Sequence, residues 1–323
     1  MPITSDQTVE VLRAAGEATR LRILALLARE ELAVLELTRI LGQSQPRVSR
    51  HLKVLAEAGL VERFPDGAWV FYRLAGAGPV RDLLDTTLSL ISERDATLLR
   101  DAERLEGVAA ERASQAAAYF AENAGQWDQI RSLYVSEADV EAAILEAAGR
   151  GPFRRVVDLG TGTGRMLRLL APHAKAAVGL DLSQQMLNIA RRATAAPGLD
   201  HCELRHGDVF ATRLPGGSAD LVVVHQVLHY LADPAAAVAE AARLVAPDGR
   251  LVVVDFAPHA LEFLREAHQH RRLGFSDEEM GRWLAQAGLN DAEARSLPPA
   301  DKKGLTVKIW TARPAAAAQK TAA

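Results

Sequence analysis

The stretch that most constrains this 323-residue chain is a short apolar run followed by a glycine-rich turn. Residues 156–159 read Val-Val-Asp-Leu, which is typical of a buried parallel strand, and residues 160–164 read Gly-Thr-Gly-Thr-Gly. Apolar residues at helical spacing resume at residues 166–170. A strand, a glycine turn and a helix predict the opening of a nucleotide-binding βαβ unit. Glycines permit a sharp turn and let a ligand lie against the backbone, which a Cβ atom would prevent.

The spacing of these glycines separates two kinds of nucleotide site. A dinucleotide fold uses G-x-G-x-x-G and seats a pyrophosphate on the helix N-terminus. Here the spacing is G-x-G-x-G, and Asp158 stands two residues before the first glycine. That acid would repel a pyrophosphate but suits an ammonium group. The pattern resembles the D-x-G-x-G-x-G signature of class I S-adenosylmethionine (SAM) methyltransferases. A glycine turn without a ligand is the alternative.

Further acids follow the next strands. Asp181 ends a predicted second strand, where a carboxylate can accept both ribose hydroxyls. In similar methyltransferases the aspartate of a Gly-Asp pair accepts from the adenine amino group and the next residue packs on the ring, which implies these roles for Asp208 and Val209. The resemblance places the methionine moiety beside the glycines, with Asp158 near its amino group. The predicted cofactor-binding residues are Asp158, Gly160, Gly162, Gly164, Asp181, Leu182, Asp208, Val209 and His225.

Strands and helices alternate through this half of the chain. Predicted strands at residues 220–225 and 251–256 flank a predicted helix at 233–245, and the last two strands, 289–297 and 305–312, are predicted as an antiparallel pair. This order predicts an α/β doubly wound domain of the class I methyltransferase, Rossmann-like type. In such a sheet the ligand lies outside the carboxyl ends of the parallel strands.

The N-terminal part predicts a different fold class, an α+β winged helix-turn-helix. Apolar residues at helical spacing indicate three helices, and a fourth follows with Ser44 as N-cap, Pro46 in its first turn and Gly59 at its end. Its apolar face is predicted from Val48, Leu52 and Leu55. Two predicted strands, separated by a Pro-Asp-Gly-Ala turn, form the wing.

The sequence S-Q-P-R-V-S-R-H-L-K-V-L-A-E-A-G-L-V closely resembles the recognition helix of ArsR/SmtB-type bacterial repressors. A net charge of −3 means that the chain as a whole is not basic, so any contact with DNA depends on a local patch of positive charge. Polar side chains of this helix can reach base edges, and arginines of the wing can pair with phosphates. A solvated helix face is the alternative. The predicted DNA-binding residues are Ser44, Gln45, Arg47, Ser49, Arg50, His51, Lys53, Arg63 and Arg73.

Metal sensing, common in that family, is not predicted. The family's E-L-C-V-C-D motif corresponds here to Glu-Leu-Ala-Val-Leu-Glu at residues 31–36, so both thiolate positions are apolar. Residues 79–112 contain no histidine for the alternative site, and Cys202 is the one cysteine of the sequence. Metal or redox sensing through an unrecognised site, formed by the histidines of a predicted insertion at residues 258–272, remains an alternative.

Residues 79–112 are predicted as one long helix with a seam near the 3.5-residue period, which in the resembled family helps to form a homodimer. Packing on the chain's own C-terminal half is the alternative. The predicted domains are a winged helix-turn-helix at 1–78, this helix, an adenosyl-binding domain at 113–313 and a disordered tail at 314–323. Within the predicted adenosyl-binding domain, Trp127, Asp128 and Tyr134 are candidates either for contact with the ligand or for packing in the core.

Two functions fit this combination. The architecture resembles ArsR-type repressors that respond to S-adenosylhomocysteine (SAH) and control the methionine cycle, which implies a homodimer that binds double-stranded operator DNA and an adenosyl effector. A cytoplasmic location is predicted because the N-terminus lacks a basic and apolar signal sequence and no apolar run approaches the ~18 residues of a membrane span. The alternative is an active small-molecule methyltransferase, of the quinone-biosynthesis type, with a fused autoregulatory DNA-binding domain. His225 and His229, which follow the fourth strand, are then candidates for a general base.

Overall fold

The structure is a computed structural model that describes residues 3–66, 68–126, 137–299 and 304–315. The chain divides into two compact units, Met1–Ser114 and Gln115–Ala323. The ligand contacts predicted for Trp127, Asp128 and Tyr134 lie outside the described residues, as does most of the predicted tail. Among the helices of the described ranges, none combines the length and the apolar character that crossing a bilayer requires.

The N-terminal unit is a winged helix-turn-helix. A capping box between Thr4 and Gln7 begins its first helix, and Gly42, at φ 64°, ends the helix before the recognition helix. The three short strands form an antiparallel sheet of order β1-β3-β2. The elements are α1 (Ser5–Ala15), α2 (Ala18–Leu27), β1 (Leu32–Ala33), α3 (Val34–Leu41), α4 (Gln45–Glu57), β2 (Val61–Asp66), β3 (Trp69–Leu74), α5 (Pro79–Ser89) and α6 (Ala96–Asn123).

The single helix predicted over residues 79–112 is wrong, because α5 and α6 are separated by residues 90–95. Asp95 causes the interruption: its carboxylate accepts hydrogen bonds from the N–H groups of Thr97 and Leu98, both at 2.9 Å, and so caps a new helix. Three residues of the predicted seam, Leu84, Ala102 and Leu105, are buried, and Leu84 and Leu105 join the apolar core of the N-terminal unit itself. The homodimer stays a prediction.

The C-terminal unit is a seven-stranded sheet of order β6-β5-β4-β7-β8-β10-β9 with helices around it. Neighbouring strands from β6 to β8 are parallel, and β10 runs antiparallel between β8 and β9, as predicted. Its elements, after the end of α6, are α7 (Glu137–Ala148), β4 (Val156–Leu159), α8 (Arg165–Leu170), β5 (Ala177–Asp181), α9 (Gln184–Thr194), β6 (Cys202–His206), β7 (Ala219–His225), α10 (Pro234–Leu244), β8 (Val245–Phe256), α11 (Phe263–His268), α12 (Asp277–Gln286), β9 (Leu289–Leu297) and β10 (Val307–Pro314).

Both faces of this sheet are covered by apolar side chains, which explains why its central strands are continuous apolar runs rather than alternating ones. Along β7, Val222 and Val224 belong to one buried cluster, whereas Leu221 and Val223 belong to another. Strand β8 begins at Val245, six residues before the strand predicted at 251–256, so residues 247–250 lie inside it. The pairing of β8 with β7 is irregular here: Ala219 pairs with Val245 and Leu221 pairs with Arg250, so β8 has extra residues between these two pairs.

Candidate functional site

The glycine loop after β4 has the backbone conformation that its sequence predicts. Gly160, Gly162 and Gly164 have φ values of 72°, 53° and 81°, in the left-handed region that favours glycine. A Cβ atom on Gly160 would lie 2.4 Å from Cγ2 of Val227, a residue of the loop after β7. The loops that follow β4 and β7 are therefore packed against each other at the carboxyl edge of the sheet.

We expect Gly160→Ala to destabilise the fold by about 2–4 kcal/mol, because a left-handed alanine and an overpacked contact each have a cost. Gly217→Ala is the matched control, since Gly217 has φ 63° but no heavy atom within 4 Å of the position that a Cβ atom would take. Denaturant midpoints measure the difference. Val227→Ala in the Gly160→Ala background should recover the packing part of the loss. An equal cost for the two glycine substitutions would contradict the close packing of the two loops.

Asp181 ends β5 and is tied directly to the glycine loop. Its Oδ2 accepts a hydrogen bond from the Gly162 N–H at 2.8 Å, and its Oδ1 accepts one from the Ser183 N–H at 2.8 Å. Burial raises the pKa of this carboxyl above its ordinary value, and the two N–H donors oppose that rise. The arrangement holds one carboxylate beside a bare backbone turn, with lone pairs left over for a sugar hydroxyl.

Asp158 lies in β4 and is buried at 1% exposure. Its Oδ2 accepts a hydrogen bond of 2.6 Å from the Thr161 hydroxyl, so the carboxylate stabilises the glycine loop that follows β4. This structural role was not predicted from the sequence. A contact with the amino group of a methionine moiety stays a prediction.

The loop after β6 carries the residues predicted for adenine. Asp208 is exposed, and its Oδ1 accepts a hydrogen bond of 2.9 Å from the Phe210 N–H, while Val209 packs against the core. Two large apolar side chains project into solvent at this edge, with Leu182 at 59% and Phe210 at 38% exposure. Phe210 was not predicted as a site residue, although an aromatic residue directly after Gly-Asp-Val is a usable signal for a ring-binding surface.

The two histidines proposed as bases occupy different environments. His225 ends β7 at the carboxyl edge and is half-buried, whereas His229 is 1% exposed. His229 Nδ1 lies 2.7 Å from Oδ1 of Asp255, a residue of β8, which makes Nδ1 the protonated nitrogen and leaves Nε2 as an acceptor. Nε2 is buried without a hydrogen-bond partner among the described residues.

His229 belongs to a cluster of aromatic and imidazole rings. Its ring centroid lies 4.1 Å from those of Tyr230 and His270, and 5.2 Å from that of Phe256. Burial and the neighbouring imidazoles hold the pKa of His270 far below its ordinary value, so this imidazole is neutral. Within the described part of the chain, no group of three or more histidine, cysteine, aspartate or glutamate residues could hold a metal ion.

The recognition helix α4 has the two faces predicted for it. Val48, Leu52 and Leu55 are fully buried. Most of the side chains proposed for DNA contact are exposed, and Ser49 is half-buried; the exposed ones are Ser44, Gln45, Arg47, Arg50, Lys53 and, on the wing, Arg63. Three cations therefore lie on this face of the helix without a nearby acid in sequence, apart from Glu57, which is 3.8 Å from Lys53.

Two of the proposed DNA contacts are turned towards the protein. His51 is paired with Glu17 at 3.4 Å. Arg73 is 17% exposed, lies 2.8 Å from Glu62 and 3.4 Å from Glu31, and stacks over Phe64. In this conformation Arg73 supports the wing, and its guanidinium is engaged by carboxylates rather than presented to a phosphate.

The start of α3, where metal-sensing relatives of this helix carry cysteines, is held by a carboxylate instead. Glu36 is buried, accepts a hydrogen bond from the Ala33 N–H at 2.8 Å, and pairs with Arg112 of α6 at 2.9 Å. Arg112 also contacts Glu30 at 3.0 Å. The chemistry at this position is a helix cap and an ion pair.

Comparison with known families gives a match in each half of the chain. Residues 157–253 match the family model described as a methyltransferase domain, and residues 17–63 match the bacterial regulatory protein, arsR family. A demethylmenaquinone methyltransferase of Thermus thermophilus is 36% identical over 43% of this chain. An arsenic resistance transcriptional regulator of Pseudomonas putida is 49% identical over 20% of this chain. These matches span 64% and 51% of the two relatives, less than two thirds of either.

Among solved structures, a chain from the complex between the Trm112 methyltransferase activator of Haloferax volcanii and a methyltransferase superposes with a TM-score of 0.51. It is 24% identical, and the match covers 61% of this chain and 98% of that one, which supports the fold alone. The class is thus a two-domain chain that joins a region similar to the arsR family of bacterial regulatory proteins to a region similar to methyltransferase domains. More specifically, the chain carries an ArsR-family helix-turn-helix domain at residues 17–63 and a class I methyltransferase domain at residues 157–253.

Proposed function

We propose that this protein is a transcriptional repressor of the ArsR type that uses its methyltransferase-fold domain as a receptor for SAH or SAM. The observation that carries the proposal is the hydrogen bond between Asp181 and the Gly162 N–H, which places a carboxylate beside a side-chain-free turn at the carboxyl edge of the sheet. The same chain presents an exposed basic helix, α4, for an operator. Homodimerisation, which would pair two such helices, is part of the proposal.

Thermodynamic coupling between the nucleoside site and the DNA-binding helix determines which ligand can regulate DNA binding. A ligand changes DNA affinity only to the extent that it binds two conformations of the protein differently. SAM and SAH share the adenosine, which the Asp181 edge would bind, and differ in the methyl group and the positive charge of the sulfonium. Discrimination between them therefore depends on groups near the sulfur, and control of methionine-cycle genes would follow if SAH is the preferred ligand.

The burial of His229 favours a receptor over a catalyst. A general base must come within hydrogen-bond reach of the proton that it removes. His229 Nε2, the acceptor nitrogen, is buried, and the rings of Tyr230, His270 and Phe256 pack against this imidazole. A methyl acceptor cannot reach it without a rearrangement of these rings.

The proposal is tested by titrating the apo protein with SAH and with SAM in a calorimeter and repeating both titrations with DNA bound. The DNA is a duplex that the apo protein enriches from a random-sequence library. We expect micromolar or tighter nucleoside binding and an affinity for the duplex that changes by about 5–150-fold with one nucleoside. Binding of both nucleosides with no change in DNA affinity would exclude the receptor function.

An active methyltransferase is the second candidate, and the pairing of His229 with Asp255 is the observation that favours it. A carboxylate that fixes one imidazole nitrogen as a donor prepares the other as a base. The test is transfer of a labelled methyl group from SAM to hydroxylated and quinol-type acceptors. Turnover that is lost in His229→Gln and retained in the control His201→Gln would establish this function instead.

A further inference from the structure

A pocket of about 570 Å³ lies at the amino edge of the seven-stranded sheet, where the parallel strands begin. It is formed by the end of α7 and by the two segments that lead into β4 and β5. The proposed nucleoside site is at the other ends of the same strands, because the glycine loop follows β4 and Asp181 ends β5. Strand β4 has 4 residues, so roughly 10 Å of backbone separates the two edges.

Backbone hydrogen bonds fix the shape of this amino-edge pocket. The Phe153 N–H donates to the carbonyl of His173, and the Lys175 N–H donates to the carbonyl of Phe153, both at 2.8 Å. A Cβ atom on Gly151 would lie 2.8 Å from the His173 carbonyl oxygen, so the two segments approach too closely for a larger residue there. The walls of the pocket are therefore in place before a ligand binds, which lowers the cost of binding.

The lining of the pocket combines buried apolar side chains with exposed cations. Ala148 and Leu170 are buried, and Phe153 is half-buried. Arg150 and Lys175 are exposed, and none of the lining residues, all of which belong to the described ranges, is acidic. A volume of roughly 300–1,000 Å³ with a mostly apolar lining and a few polar groups is typical of small-molecule sites.

The cations of the pocket are not neutralised by neighbouring acids. Arg150 and Lys175 form no ion pair with a carboxylate of the described residues. Residues 147–175 contain six lysines and arginines and one acid, Asp158, which is buried in β4. Two cations that have no protein partner are available to an anion from solution.

Other charges at this edge that would oppose an anion are already engaged. Asp220, near the start of β7, is paired with Arg154 at 2.8 Å. The carbonyl groups at the C-terminal end of α7 carry partial negative charge. One of them, that of Ala147, accepts a hydrogen bond of 2.7 Å from the Arg250 side chain, which offsets this charge. The local charge at the pocket is therefore positive.

We propose that the amino-edge pocket binds a small organic anion, that is, a carboxylate or phosphate group carried on an apolar body. Arg150 and Lys175 would hold the anionic group, and the surface of Phe153 and Leu170 would cover the apolar part. Because both cations are exposed, water and salt screen them, and binding should weaken as the salt concentration rises. The inference does not depend on the proposed function.

The inference is tested on the full chain by calorimetric titration with octanoate and with octyl phosphate, each below the concentration at which it aggregates. Octylammonium is the control probe with the same apolar body and the opposite charge. We expect saturable binding of at least one anion with a Kd below about 1 mM, and at least tenfold weaker binding of octylammonium. From butanoate to octanoate the affinity should rise about threefold for each added methylene that is buried. The tighter of the two anions identifies the preferred head group.

A pair of matched variants locates the site. Arg150→Ala/Lys175→Ala should weaken binding of the preferred anion at least tenfold. The control Arg191→Ala/Arg192→Ala removes two exposed cations of the same unit and should leave that affinity unchanged. Amide chemical shifts that respond to the anion should lie in residues 149–153 and 171–175.

Three results would each overturn the inference: no saturable binding of either anion, equal binding of octanoate and octylammonium, or equal losses in the two double variants. Both variants should bind SAH as the wild-type protein does, because the pocket is at the other edge of the sheet. Failure of the wild-type protein to bind SAH or SAM would remove the proposed function and leave this pocket unaffected.

Discussion

Asp181→Ala is expected to weaken SAH and SAM binding by at least about 100-fold, as measured by calorimetry. The carboxylate is the group at this edge that can accept both ribose hydroxyls, and hydrogen bonds to a charged group contribute about 1.5–3 kcal/mol each. Its removal also leaves the N–H groups of Gly162 and Ser183 without their acceptor, which loosens the turn that faces the ligand.

The controls separate ligand binding from folding. Asp200→Ala removes an exposed aspartate of the same unit and should leave nucleoside affinity unchanged. Asp181→Asn preserves the shape and should fall between wild type and alanine, because an amide retains one acceptor oxygen but opposes N–H donors with its own NH2 group. An Asp181→Ala protein that keeps its circular dichroism spectrum and its SAH affinity would refute the assignment of the ribose contact.

The raised pKa of Asp181 adds a pH dependence to the same site. The ionised carboxylate is the form that accepts both hydroxyls, so affinity is full above the pKa and declines as the pH falls through it. Because burial raises this pKa, the decline should begin at a higher pH than for an ordinary aspartate. Calorimetric titrations of SAH across the acidic range measure it, and Asp181→Asn should flatten the profile.

The second large effect is expected on DNA. The triple variant Arg47→Ala/Arg50→Ala/Lys53→Ala removes the exposed cations of the recognition helix. We expect its affinity for the enriched duplex to fall on the order of 100-fold at moderate salt. The slope of log affinity against log salt concentration should become shallower by about 2.7, since each phosphate contact contributes about 0.9. Fluorescence anisotropy at several salt concentrations gives both quantities.

A matched control keeps the change in net charge constant. Arg29→Ala/Arg94→Ala/Arg100→Ala removes three exposed cations of the N-terminal unit that lie outside α4 and the wing. This variant should retain most of the DNA affinity and the wild-type salt slope. An equal loss in the two triple variants would mean that overall charge, rather than the face of α4, controls binding, and the predicted interface would be wrong.

Most of the element order could be predicted because the signals are local. The apolar run before Gly160, the N-cap and proline that begin α4, and the Gly-Asp pair after β6 are readable within a few residues. The break at Asp95 was missed although its signal is also local: an acid followed by a helical run is an ordinary N-cap, and the longer apolar period concealed it. The start of β8 was placed too late for a different reason: Val245 pairs with Ala219 of β7 before the register shifts, and this early pairing depends on a distant strand.

By itself the sequence determined the two fold classes, the place and spacing of the glycine turn and the acid that ends β5, since periodicity and turn chemistry are properties of short segments. Only the tertiary structure decided which distant side chains meet: Asp255 with His229, Arg112 with Glu36, Val227 with Gly160, and Tyr119 with His268. The physical reason is that these pairs are set by how the elements pack. Neither the burial of a side chain nor its contact with a residue tens or hundreds of positions away produces a periodic pattern in the sequence.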